Sequence, residues 1–179
     1  IIYLNTMAIN IKNFLSSQSR KSKIGDFQDL EHVDGVAISA ISANLYKHIR
    51  DDLVLFYFRD GANYASVYTQ SKIISENIKW NLSLKNNSVK ALLVNTRNAN
   101  AFTGKLGFKG IIQIAEELSK KLTIKMSEDE EVKKVVKPEE IIFGSTGTIG
   151  ETFPAEKIKN SLTALIDKIK YTTKTNIYG

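Results

Sequence analysis

Glu140-Ile141-Ile142-Phe143-Gly144-Ser145-Thr146-Gly147-Thr148-Ile149-Gly150-Glu151 is a short apolar run that breaks into a glycine-rich loop, and an amphipathic helix follows from about Pro154. Gly144, Gly147 and Gly150 admit positive φ and close backbone approach, and Ser145, Thr146 and Thr148 add hydroxyls. A strand that stops in such a turn can present N–H groups to an anion or a developing oxyanion. It can equally be a plain strand-to-helix connection. Several chemistries are excluded. No Gly-Lys-Ser/Thr follows at Walker A spacing, and Thr146 occupies the second glycine position of G-x-G-x-x-G. Ser145 directly follows Gly144, which breaks the G-x-S-x-G spacing of a nucleophile elbow. With no histidine near it in sequence to act as base, Ser145 is a weak nucleophile candidate. A cradle of donors without a nucleophile of its own remains.

The same strand–loop–helix unit occurs once more upstream. Lys90-Ala91-Leu92-Leu93-Val94 reads as a buried strand. It runs into Asn95-Thr96-Arg97-Asn98-Ala99-Asn100-Ala101-Phe102-Thr103-Gly104, whose amides suit tight turns or a bound carboxylate or amide. Ile111, Ala115, Leu118 and Leu122 then recur at helical spacing. Met126 to Lys137 is charge-dense and reads as a solvated insertion. Ile158, Leu162, Leu165 and Ile169 form the stripe of the last helix, with Pro154 in its first turn. Earlier, Val36, Ile38 and Ile41 suggest a strand entered at Gly35, and Leu53 to Phe58 is the most β-prone run. Asp60-Gly61 is a hairpin signal that makes Tyr64 to Thr69 the return strand. The segment from Asn77 to Asn81, around the single Trp80, reads as polar. The expectation is one mixed, layered α/β domain over 33–179, with both polar loops at C-terminal strand ends, where ligands collect. Residues 1–32 are expected to be a flexible extension. Ile11, Phe14 and Leu15 make a short helical stripe there, and a Ser-rich basic linker spans Ser16 to Lys23. The chain opens on Ile1, and Met7 is the first candidate start.

An apolar share of 42% in 179 residues suits a soluble domain with a core of its own. No run approaches the roughly 18–20 apolar residues of a membrane span. The chain has no cysteine, which excludes disulfides, thiolate nucleophiles and zinc–thiolate sites and is compatible with a cytoplasmic location. His32 and His48 have no partners at ligand spacing, so no metal or cofactor is expected. The net charge of +6 raises the question of nucleic acid. However, the lysines are spread along the chain and read as solvated surface.

The two polar loops carry a more specific signal. Asn95 to Gly104 resembles the N-[ST]-G-N-A-N-A-x-T-G motif of the ornithine acetyltransferase (glutamate N-acetyltransferase) family. Ser145 to Glu151, with Pro154 after it, is similar to that family's S-T-G-V-I-G-x-x-L-P motif. Arg50-Asp51-Asp52-Leu53 and Ala65-Ser66-Val67-Tyr68-Thr69-Gln70-Ser71 match two earlier segments. The four stretches occur in family order over about residues 34 to 170. The resemblance implies an N-terminal-nucleophile-like α/β fold and acetyl transfer from N-acetylornithine to glutamate in arginine biosynthesis, with acetyl-CoA also used by some members. It implies a precursor that cleaves itself into α and β chains in an α2β2 assembly, the new N-terminal threonine of β being the nucleophile. Carried over by position, the oxyanion hole is Thr146, through its hydroxyl, and Gly147, through its backbone N–H. Substrate-binding residues stay unassigned.

Three positions depart from the pattern. Arg97 replaces a glycine and Phe102 a small residue, which makes that loop bulkier, and Thr148 replaces an aliphatic residue. The family's downstream A-I-M-T-T-D and K-G-x-G-M-I-x-P stretches and its nucleophilic threonine are not in these 179 residues. The expectation is therefore the front part of an α chain, inactive alone. Two alternatives stay open: a non-catalytic module for an anion or nucleic acid, with the glycine-rich loop at a helix N-terminus, and a degraded homologue kept as a structural partner.

Overall fold

The computed structural model describes residues 33–127 and 135–169. The extension expected over residues 1–32 lies outside the described residues, as do residues 128–134 and 170–179. Four strands form one sheet in the order β1-β2-β3-β4: β1 Val36–Ile41, β2 Leu53–Asn63, β3 Ser88–Asn95 and β4 Ile141–Ser145. β1, β2 and β3 are antiparallel neighbours, and β4 joins β3 in parallel. Three helices complete the fold: α1 Glu76–Ser83, α2 Gly104–Met126 and α3 Ala155–Asp167. This is the mixed layered α/β domain anticipated above. None of the described helices is long and apolar enough to cross a membrane.

The core lies between one face of the sheet and the helices. Leu53, Leu55, Tyr57, Ala91 and Ile141 point into it and are fully buried. From α2 come Ile111, Ala115, Leu118 and Leu122, the anticipated stripe, each at 0% exposure. Burying a Leu or Ile side chain of this kind contributes about 1.5–3 kcal/mol. In α3 the stripe is Ile158, Leu162, Leu165 and Ile166. Ile169, read as its last member, packs on the core from beyond the helix end. The opposite sheet face is also apolar but only half-buried. The register lines up Ile38, Phe56, Leu92 and Ile142 across all four strands, and Ile38 is 48% exposed. β3 accordingly alternates between buried and half-buried residues instead of being buried throughout.

The expected hairpin at Asp60-Gly61 does not form. β2 continues through both residues to Asn63, and Tyr64 to Thr69 is not a strand. Gly61, at φ +81°, is instead absorbed in an irregularity where the β2–β3 register shifts between Tyr57 and Ala62. A glycine at positive φ serves a bulge as well as a turn. The charged insertion is also not wholly solvated. Met126 ends α2 in the core, and Val136, 4% exposed, exchanges backbone hydrogen bonds with Thr123 Oγ1.

The polar segment around Trp80 is helix α1, capped by Ser75. Its buried face is Glu76, Asn77, Trp80 and Asn81, which serves the open edge of β4. Asn81 donates to the Phe143 carbonyl at 2.9 Å and accepts from the Phe143 N–H at 3.0 Å. Trp80 Nε1 donates to the Ile141 carbonyl at 2.8 Å. Side chains thus stand in for a fifth strand and satisfy backbone groups that an edge leaves unpaired.

Candidate functional site

The parallel pairing of β3 with β4 does not stop at the strand ends. Thr146 N donates to the Asn95 carbonyl, Thr148 N to Arg97, Ala99 N to Thr148 and Gly150 N to Ala101, all at 2.9–3.1 Å. The two loops that the sequence singled out therefore run side by side, bridged in parallel at Asn98 and Thr148. The first loop turns sharply, with positive φ at Arg97, Asn100, Phe102 and Gly104. Its amides hold it in that path. Asn95 Nδ2 donates to the Asn98 carbonyl, and Asn98 Oδ1 accepts from Asn100 N at 2.7 Å. Asn98 Nδ2 reaches across to the carbonyls of Glu151 and Thr152. All three asparagines are under 5% exposed, and buried side-chain amides need partners of this kind.

Asn77 of α1 extends this network beneath the second loop. It accepts from Asn100 Nδ2 at 2.9 Å and donates to Ser145 Oγ, which in turn donates to Asn95 Oδ1 at 2.5 Å. Thr103 Oγ1 closes the other side on Asn100 Oδ1 at 2.7 Å. The Ser145 proton is spent on an amide oxygen, which is not a general base. Ser145 is a structural pin. No hydrophobic periodicity could have pointed to Asn77; the only signal was an unusual run of amides near a lone tryptophan.

Thr146 and Gly147 lie at the exposed end of this scaffold. The Thr146 N–H is taken by Asn95, but its hydroxyl and the Gly147 N–H have no partner among the described residues. Gly147 adopts φ +134°, and a Cβ on it would come within 2.2 Å of the Arg97 carbonyl carbon. Arg97 then wraps the second loop from outside. Its Nη1 donates to Thr148 Oγ1 at 2.8 Å and to Glu151 Oε2 at 2.6 Å, and its Nη2 donates to Glu151 Oε1 at 3.2 Å. The hydrogen bond to Glu151, and then that carboxylate's charge, hold the guanidinium above its ordinary pKa. Thr148, which departs from the family pattern, is thus matched by Arg97, which departs as well. Phe102 does not fill the loop but is 68% exposed. No three His, Cys, Asp or Glu side chains gather to hold a metal among the described residues.

The ArgJ family profile matches residues 37–178. The arginine biosynthesis bifunctional protein ArgJ of Bradyrhizobium diazoefficiens is 33% identical over 140 residues, covering 78% of this chain and 31% of that protein. Its namesake in Gluconobacter oxydans is 32% identical over 137 residues, covering 76% and 30%. The chain spans about a third of the length of the curated relatives it matches. Two crystal structures share the fold. ArgJ from Bacillus halodurans has a TM-score of 0.65 at 24% identity, covering 77% of this chain and 65% of that one. Ornithine acetyltransferase from Mycobacterium tuberculosis, complexed with ornithine, has a TM-score of 0.67 at 22% identity, covering 76% and 68%.

Proposed function

The chain belongs to the ArgJ family, and on that premise we propose that it supplies the oxyanion-stabilising part of an acetyltransferase that moves the acetyl group of N-acetylornithine to glutamate. The observation that carries this reading is the pair of unpartnered donors, the Thr146 hydroxyl and the Gly147 N–H, on a loop pinned from three sides. When a nucleophilic hydroxyl adds to the acetyl carbon, the carbonyl π pair moves onto oxygen. Two fixed donors then meet that charge without reorganising, each worth about 2.7–4 kcal/mol of barrier. Collapse expels the ornithine amine with a proton and leaves an acetyl ester. Attack by the glutamate amine passes through the same oxyanion and frees the nucleophile.

The nucleophile in this reading is the N-terminal threonine of a β chain, which with the rest of the α chain makes an α2β2 assembly in the cytoplasm. The half-exposed apolar sheet face around Phe56 and Leu92 supports a further polypeptide layer, since an apolar face that wide is costly to leave in water. Acetyl-CoA as an additional donor belongs to the same reading, because its thioester would pass through the same oxyanion.

The test is acetyl transfer by this chain co-expressed with the remaining two-thirds of an ArgJ protein. Thr146→Ala removes only an exposed hydroxyl, so the fold persists. The expected result is a fall in kcat of about 100- to 1,000-fold with an unchanged circular dichroism spectrum. Unchanged kcat in Thr146→Ala, or a folded complex without any transfer, would overturn the reading.

A further inference from the structure

Flanking the first polar loop, a concavity of about 520 Å³ is lined by Leu45, Tyr46, Lys47, His48, Arg97 and Lys157. Its walls come from three separate stretches of chain: the turn before β2, the first polar loop and the first turns of α3. The turn is built, not loose. Asp52, 1% exposed, accepts the N–H groups of Ala43 at 2.6 Å and Leu45 at 2.9 Å. Lys157 Nζ ties α3 to the same turn through the Asn44 carbonyl at 2.9 Å. Arg50 stacks over the Tyr46 ring at 4.6 Å, and His48 tilts against that ring at 5.5 Å.

The charge of this concavity is one-sided. Lys47, Arg97 and Lys157 are cationic, and no carboxylate is among the lining residues. Neither Lys47 nor Lys157 makes an ion pair among the described residues; the Lys157 partner is a neutral carbonyl. Glu151 engages Arg97, but with Thr148 it uses only three of the five guanidinium N–H donors. Arg50 behind Tyr46 adds a positive charge that the Asp52 carboxylate, buried under the same turn, offsets in the count. With Arg97 paired to Glu151, Lys47 and Lys157 are left uncompensated, which matches the roughly −1.5 to −2 charge of a phosphate better than that of a single carboxylate. The volume falls in the range of small-molecule sites, well beyond one small ion.

We propose that this concavity binds a phosphate-bearing small molecule, its phosphates among Lys47, Arg97 and Lys157. Arg97 makes the site contiguous with the second polar loop, because its backbone lies under Gly147 and its carbonyl accepts from Thr148 N. The assignment stands on the concavity alone and does not depend on acetyl transfer.

Calorimetric titration of the whole chain with pyrophosphate tests it, at about 50 mM and about 150 mM salt to expose screening. Saturable one-site binding is expected, weakened at least tenfold in the Lys47→Ala/Lys157→Ala double variant. The Lys121→Ala/Lys159→Ala variant loses the same net charge on another surface, where each lysine is already paired with a glutamate. It should bind as the unsubstituted chain does. Equal weakening in both variants would mean bulk attraction and overturn the site. So would glutamate binding where pyrophosphate does not, which would make it a carboxylate site. Binding confined to long oligonucleotides, with a log–log salt slope of several phosphates, would overturn it in favour of nucleic acid.

Discussion

Gly147 rests on the backbone of Arg97, leaving no room for a Cβ: one placed there would lie 2.2 Å from the Arg97 carbonyl carbon and 2.3 Å from its oxygen. The clash is with backbone, which cannot swing aside as a side chain could. The φ of +134° adds strain for any L-residue. Gly147→Ala is expected to cost about 2–5 kcal/mol, strain and overpacking combined, or else to pry the two loops apart. Urea unfolding with amide chemical shifts at Asn98 and Thr148 distinguishes the two. A variant with wild-type stability and wild-type shifts would refute the close approach.

Arg97 presents the opposite case, a side chain at φ +77° where the family motif carries glycine. Backbone strain and the clasp on Glu151 and Thr148 oppose one another there. Arg97→Ala loses the clasp and keeps the strain, whereas Arg97→Gly loses the clasp and relieves it. The expected order of stability is Arg97→Gly above Arg97→Ala. The stability with Arg97 in place should fall relative to either variant as salt rises, because the ion pair is partly exposed. Melting temperatures at two ionic strengths read both effects.

What the sequence revealed follows the kind of force that builds each element. α2 was legible because Ile111, Ala115, Leu118 and Leu122 are buried against apolar neighbours, and apolar burial leaves a period. α1 was not, because its inner face is Asn77, Trp80 and Asn81, buried to serve hydrogen bonds on an edge strand. That need belongs to β4, more than 60 residues away. The Asp60-Gly61 hairpin failed for a related reason. Local chemistry allows a positive φ, but whether the chain reverses or merely bulges is decided by the pairing of β2 with β3. The two polar loops stood out as motifs, yet their lateral pairing did not. The Arg97–Glu151 clasp, 54 positions apart, has no local signature.

Asn81 is where that hidden need can be measured. Asn81→Ala would strand both the N–H and the carbonyl of Phe143 on a buried edge. Each unsatisfied group costs about 1–3 kcal/mol, so a loss of about 2–6 kcal/mol is expected. Asn81→Asp keeps an acceptor for the N–H but offers the carbonyl no donor, and should be no better. Amide exchange at Phe143 should accelerate more than at Leu93 on the neighbouring strand. If the two amides accelerate alike, the side chain does not hold the edge locally.

Ser145 tests whether the second loop is a cradle or a nucleophile. Its hydroxyl accepts from Asn77 and donates to Asn95, so both its bonds are occupied and no base faces it. Ser145→Ala would leave two buried amides short of a partner, at a cost of about 1–3 kcal/mol each. Because Thr146 is the next residue, the proposed oxyanion donors would drift with it, and in the co-expressed complex kcat should fall while KM changes little, as expected when an interaction specific to the transition state is weakened. A serine-directed fluorophosphonate should label neither the chain nor the variant. Stoichiometric labelling at Ser145 would show a nucleophile where the hydrogen bonds describe a pin. It would also move the chemistry from a threonine elsewhere onto this loop, and the division of labour proposed for the chain would fall with it.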